Sequence, residues 1–368
     1  MTAWWFALAW AGAPMSAAWT TTLPAAPSGD GVELLGVDAE GRHGWLQVHE
    51  EGARSLWQVD LRRARVDGVW RGEASDSAAG WRWGALYPLV QSAEELQRLL
   101  LVRGHIAGVG RWPRLSVATE GDGPWVAWER PTRAGGDGIA LRGPDGPLTL
   151  PEGLYAAYRP RFDRAGERVA YTATGRPTRY RVFVQPLDGG EAEAIDGLGH
   201  ASWFEWDRQD RLWVLSSGDG ADAGCLHVVH DGVSRPVACP EDPTTTTMAL
   251  MDPEGGLVVM GWYRGEGVDT ALEVVAVRTA DEREVARRSL PEGRLLQALR
   301  HDGRLVVGAL DSTDVVDLST GEMARLPDDL RAPVSVHWVD GRLPMLQHRS
   351  WTKDVTVVWV DPDEALAR

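Results

Sequence analysis

Arg161 and Glu205 are the residues of this chain whose types and spacing point most directly to a shared site. Each stands just before the apolar residue of a recurring turn, Phe162-Asp163 and Trp206-Asp207, so the two hold one register 44 residues apart. If they lie on the innermost strands of consecutive units about 10 Å apart, the long arginine reaches the glutamate, and neither charge is buried alone. Two roles are open. The pair is either a polar patch at the mouth of a central channel that contacts a ligand, with His337 from the last unit as a third member, or an ion pair that holds neighbouring units together.

Asp219 and Asp222, in Ser217-Gly218-Asp219-Gly220-Ala221-Asp222, offer carboxylates to Ca²⁺, but further oxygen ligands are not visible. A polar turn between strands is the plainer reading, so both remain ligand-contact candidates and no metal site is assigned. His43 and His49 sit six apart on one strand face and His227 and His230 on opposite faces, a spacing that suits structural histidines better than metal ligands. There is no G-x-S-x-G, H-E-x-x-H, C-x-x-C, phosphate loop or complete EF-hand. No catalytic residue and no cofactor is expected.

The two cysteines, Cys225 and Cys239, flank a hairpin turning at His230-Asp231-Gly232-Val233. A three-residue loop there places Cys225 opposite Cys239, within reach of a cross-strand disulfide that an oxidising compartment would form. Of the 19 tryptophans, Trp57, Trp125, Trp128, Trp206, Trp213 and Trp359 fall in predicted strands and are expected to fill gaps between packed sheets. Trp70, Trp81, Trp83 and Trp351 are read as loop residues and candidates for ligand stacking.

These residues are positioned by a repeated meander. Between Tyr158 and Asp196 the alternation gives a strand ending at Phe162, a strand from Arg168 to Thr172, a strand from Tyr180 to Pro186 and a last short strand after Asp188-Gly189-Gly190. Its signature, apolar-Asp-x-x-Gly, appears at Val37-Asp38 and Phe162-Asp163, at Trp206-Asp207 with Asp210 replacing Gly, and at Met251-Asp252. Asp bonds the turn amides, and Gly, or less easily Asp, accepts the positive φ that closes the turn. Shortened forms stand at Asp122-Gly123, Asp302-Gly303 and Asp340-Gly341.

Asp163, Asp207 and Asp252 are 44 and 45 residues apart, the period of a four-stranded propeller blade. Seven units start near residues 32, 112, 155, 199, 244, 293 and 332, which predicts an all-β, closed propeller of antiparallel four-stranded blades over 19–366. An eighth blade is the alternative if the inserted or degenerate unit at 67–110 is complete; Ser92-Ala93-Glu94-Glu95 there is a capping box that predicts one short helical insertion. A segment near Ala18 to Leu23 is expected to complete the last unit and close the ring.

Arg159 to Tyr171 (RPRFDRAGERVAY) followed by Arg181 to Gly190 (RVFVQPLDGG) resembles the TolB-type, WD-like β-propeller repeat. The resemblance covers nearly the whole chain beyond residue 30, with the unit at 155–196 the close match. It implies the propeller fold and exported interaction proteins, and it carries no catalytic residue.

A net charge of -15 over 368 residues argues against nucleic acid or an anionic membrane surface as partner. Residues 1–18 are apolar, too short to span a bilayer and end in small residues, as a secretory signal does. A periplasmic or secreted monomer without a membrane span is expected. The reading that follows is a non-enzymatic binder of a protein, peptide or envelope component; the alternative is a propeller enzyme, hydrolase or lyase, acting on carbohydrate.

Overall fold

The computed structural model describes residues 20–22, 32–37, 43–50, 53–73, 115–118, 125–131, 137–143, 146–148, 150, 155–174, 180–198, 200–217, 223–242, 247–264, 270–291, 293–309, 312–331, 338, 340–348 and 355–367. After β1 (Thr20–Thr22), the first blade is β2 (Val32–Val37), β3 (His43–Glu50), β4 (Ala53–Asp60) and β5 (Arg65–Glu73). The second is β6 (Leu115–Ala118), β7 (Trp125–Pro131), β8 (Asp137–Gly143) and β9 (Gly146–Leu148), and the third is β10 (Tyr155–Phe162), β11 (Arg168–Thr174), β12 (Tyr180–Pro186) and β13 (Glu193–Ala194). The fourth is β14 (His200–Trp206), β15 (Leu212–Ser217), β16 (Leu226–His230) and β17 (Val233–Ala238). The fifth is β18 (Thr247–Met251), β19 (Leu257–Arg264), β20 (Ala271–Arg278) and β21 (Arg283–Leu290). The sixth is β22 (Leu295–Leu299), β23 (Arg304–Gly308), β24 (Thr313–Asp317) and β25 (Met323–Arg325), and the seventh holds β26 (Leu330–Arg331), β27 (Leu343–His348) and β28 (Val355–Val360).

Every sheet is a four-stranded antiparallel meander, and the fourth strand of the seventh is β1, paired with β28 through Thr20–Val358, Thr21–Val357 and Thr22–Thr356. The N-terminal strand therefore completes the C-terminal blade, as the sequence predicts, and β2 packs on β27 so that first and last blades meet. Seven sheets are present among the described residues, and the predicted helix near 92–101 lies outside them. The described helix is instead α1 (Pro362–Leu366), which Asp361 caps by accepting from the Asp363 and Glu364 amides. It closes the seventh blade against the sixth, with Ala365 buried among Ala298, Val315, Leu330 and Val358.

The core lies between blades rather than within one. Phe162, Val169 and Tyr171 pack on Ile139 and Leu141 of the second blade, while Ala170 and Val182 on the other face of the third meet Phe204, Trp206 and Val214. A middle strand is thus covered on both sides, which is why β11 is buried from Val169 to Thr174 without alternation. The outermost strand β21, REVARRSL, has one covered face and exposes its charges, a composition that discourages edge pairing with other chains. Trp57, Trp206, Trp213 and Trp359 are buried as expected, whereas Trp70 is in strand β5 rather than in a loop.

The Asp-x-x-Gly turns close as their chemistry dictates. Asp163 Oδ1 accepts from the amides of Glu167 and Arg168, and Asp207 Oδ1 from those of Gln209 and Arg211. Gly166 and Gly255 have φ of 70° and 68°, and Asp210 takes the same place at 54°. At the cysteine hairpin the loop differs from expectation. His230 pairs directly with Val233, leaving Asp231 and Gly232 as a two-residue turn with both φ positive, the geometry of a type I′ turn. A bulge at Val237 then shifts the register by one, pairs Leu226 with Ala238, and brings Cys225 beside Cys239, with Cα atoms 4.2 Å apart and a disulfide between them.

Candidate functional site

Arg161 and Glu205 come together where β10 and β14 approach their turns. The Arg161 Nε–H donates to Glu205 Oε2 at 3.1 Å, and Arg161 Nη1 donates to the Pro160 carbonyl at 2.8 Å. The arginine side chain is 11% exposed and the glutamate 28%, so the pair is sheltered on one side and wetted on the other. Glu205 Oε1 also accepts the Trp206 amide, and Trp206 Nε1 donates to the Arg161 carbonyl at 3.0 Å. The Arg168 guanidinium lies over the Trp206 ring, 4.7 Å from its centre, completing a link between the third and fourth blades.

The same device recurs at the sixth and seventh blades, where Trp338 Nε1 donates to the Leu299 carbonyl at 2.9 Å and the Arg300 guanidinium lies 5.6 Å from the Trp338 ring centre. His337, Asp219 and Asp222 lie outside the described residues. His227 is buried in β16, and His230 is an exposed neighbour of Asp231 at 2.9 Å. Among the described residues no three His, Cys, Asp or Glu side chains group as a metal site would need.

Sequence reasoning missed two polar clusters. In the first, Arg300 occupies the place of the signature Asp, and its guanidinium binds Asp302 at 2.7 and 2.8 Å, Asp363 of α1 at 2.7 Å and the Gly341 carbonyl at 2.9 Å. Arg304 adds a second bond to Asp363 at 2.8 Å. The Arg300 hydrogen bond holds the Asp363 carboxyl below its ordinary range, with burial opposing. An arginine where the repeat has Asp was the signal available.

In the second, Arg294 at the opposite end of the sixth blade donates to Ser312 Oγ at 2.7 Å and pairs with buried Asp314, while Tyr263 donates its hydroxyl to the Arg294 carbonyl at 2.7 Å. Gln297 lies over Gly308, where an added Cβ would fall 1.7 Å from the amide nitrogen and displace that side chain. Both clusters join segments of different strands and carry paired charge rather than a nucleophile beside a base.

Seven four-stranded sheets among the described residues, the second to seventh burying their faces on one another in sequence, decide the architecture. The chain has the β-propeller fold. No protein-family model and no curated protein sequence matches it. Among solved structures it is similar to an oligogalacturonate lyase in complex with manganese, at TM-score 0.53 and 10% identity, covering 94% of this chain and 92% of that one. It is also similar to a puromycin-hydrolysing peptidase of Mycobacterium tuberculosis, at TM-score 0.50 and 14% identity, where 88% of this chain spans 52% of the peptidase, about half its length. It is also similar, at TM-score 0.39 and 13% identity over 84% of this chain and 76% of that one, to TolB from Acinetobacter baumannii. At these identities the likeness is one of fold, which many functions share.

Proposed function

We propose that this chain is an exported, non-enzymatic propeller that binds a protein, peptide or cell-envelope component through its blade-connecting loops, acting as a monomer. The observation that carries the reading is how the described polar groups near the inner strands are engaged. Glu205 is held by Arg161, Asp163 by Arg168, and Asp207 by Arg211 and the Trp213 indole. Each carboxylate satisfies a turn or joins two blades, whereas glycoside hydrolysis needs a pair that flanks a bond about 5 to 9.5 Å apart. Rigid blades of this kind leave recognition to the connecting segments. The Cys225–Cys239 disulfide and the signal-like segment 1–18 support export to the periplasm or beyond. Asp219, Asp222 and His337 remain contact candidates within this reading.

A second reading, a carbohydrate-acting propeller, draws on the fold likeness to the oligogalacturonate lyase. One experiment separates the two. The chain is expressed with its first 18 residues, located by fractionation, then purified and used as bait against the periplasmic or secreted fraction. Retention of a defined protein partner by a chain recovered from that compartment supports the proposal. A cytoplasmic chain, one that retains nothing, or one that depolymerises an oligouronate, rejects it.

A further inference from the structure

Residues 155–181 hold four of the chain's six tyrosines and seven arginines against two acidic residues, within a chain of net charge -15. Three of those arginines are engaged near the Asp163 turn: Arg161 on Glu205, Arg164 on the Pro253 carbonyl and Arg168 on Asp163. Arg181 stands at the other end of the blade, where β11 finishes and β12 starts, and Arg159 sits midway along β10. There the Tyr158 and Tyr180 rings meet edge to face with centres 5.5 Å apart, and the Arg159 guanidinium lies 5.8 Å from the Tyr158 ring centre. Arg159 also donates to the Ser202 carbonyl on β14.

The backbone is irregular at this place. Arg159 has φ of 56°, and the β10 register slips on both sides of Tyr158; β14 slips at Ser202. A non-glycine residue at positive φ within a strand is held there by its surroundings, and bulges of this kind re-aim side chains. Tyr180 is 38% exposed, and Arg181 is exposed beside it.

We infer that Tyr158, Arg159, Tyr180 and Arg181 form a contact surface for an acidic segment of a protein partner. The inference rests on the protein-binding reading above and names the chemistry of the partner. Charge complementarity selects carboxylates, because this is a cationic concentration on an acidic chain. Tyrosine and arginine are also the residue types that supply most interface energy, since a large apolar surface and a directional polar group are desolvated together. A sugar ring would need a tyrosine face to stack on, whereas Arg159 lies over Tyr158 and Tyr180 meets it edge to face. The exposed Tyr180 and Arg181 side chains offer a phenol and a guanidinium, which suit side-chain carboxylates of an extended peptide.

The test uses the full chain and a fluorescein-labelled Glu-rich peptide, with its Gln-for-Glu counterpart, in an anisotropy titration. The expected result is saturable binding of the Glu-rich peptide and at least about tenfold weaker binding of the counterpart, with Tyr180→Ala and Arg181→Gln each weakening it about three- to tenfold. Both substitutions are at exposed positions, and far-UV circular dichroism confirms that the variants are folded. Equal binding of the two peptides, no binding up to about 1 mM, or unchanged binding by both variants overturns the inference. So does an oligouronate that binds the wild type and not the variants, which assigns the surface to a polysaccharide. A captured protein partner that both variants retain fully sinks this inference while leaving the proposed function standing; capture of no partner sinks the proposed function itself.

Discussion

Arg161 donates its Nε–H to Glu205 Oε2 at 3.1 Å across the gap between the third and fourth blades. The bond sits beside the Trp206 indole, which donates to the Arg161 carbonyl, so charge and packing act at one junction. Glu205→Gln keeps the shape and removes the charge, leaving a sheltered arginine without its carboxylate. The expected loss is about 1–3 kcal/mol, between the values for exposed and buried pairs. Urea unfolding measures it, and partner retention should be unchanged. Normal stability with lost retention would instead make the pair a ligand site.

Asp210 takes the left-handed place that glycine fills in neighbouring turns, and its Oδ1 accepts the Arg164 amide at 2.7 Å and the Ala165 amide at 3.3 Å in the preceding blade's turn. Two effects oppose each other at this position. Asp210→Gly relieves the φ of 54° but loses the acceptor, whereas Asp210→Ala loses the acceptor and keeps the strain. Alanine should therefore cost about 1 kcal/mol more than glycine. Equal thermal midpoints for the two variants would contradict this account of the turn.

The Cys225–Cys239 disulfide closes a loop of sequence separation 14 within the fourth blade. A loop of that size contributes roughly 3 kcal/mol by restricting the unfolded chain. Replacing both cysteines with serine should lower the unfolding free energy by about 2–4 kcal/mol. Alkylation of protein from its native compartment, denatured without reductant, should label neither thiol; two labelled thiols would remove the disulfide from the account.

Acid should weaken the hold on α1 only below the ordinary carboxylate range. The Asp363 carboxyl is held below its ordinary range chiefly by the Arg300 hydrogen bond, so its folded pKa lies below the unfolded value of about 3.9. Its contribution is then complete above the unfolded value and is lost as pH falls through the folded one. Asp363→Asn should lower stability at neutral pH and flatten its decline below about pH 4. An unchanged acid limb would show that α1 is held by Ala365 packing alone.

The blades were legible because their signals are local. An Asp that bonds turn amides, a residue that accepts positive φ and a β-branched strand all lie within one unit, so the starts of the sheets fall within a few residues of expectation. The Arg161–Glu205 contact was legible for a related reason, since equal register in a repeat converts sequence distance into neighbourhood. What stayed hidden depended on partners from different units or on a slipped ladder. Asp363 binds Arg300 from 63 residues away through a helix that belongs to no repeat. The Cys225 register relies on the Val237 bulge offsetting a shorter turn, and Arg159 meets Ser202 only because two strands slip together. No periodicity encodes a bulge.

The proposed function is binding without turnover. Its most direct measurement is a calorimetric titration of the purified chain with the component it retains, followed by mass spectrometry of that component after prolonged incubation. The account predicts saturable binding near one component per chain and recovery of an unaltered mass. Recovery of a cleaved or modified component, at a rate that depends on the chain, would contradict it.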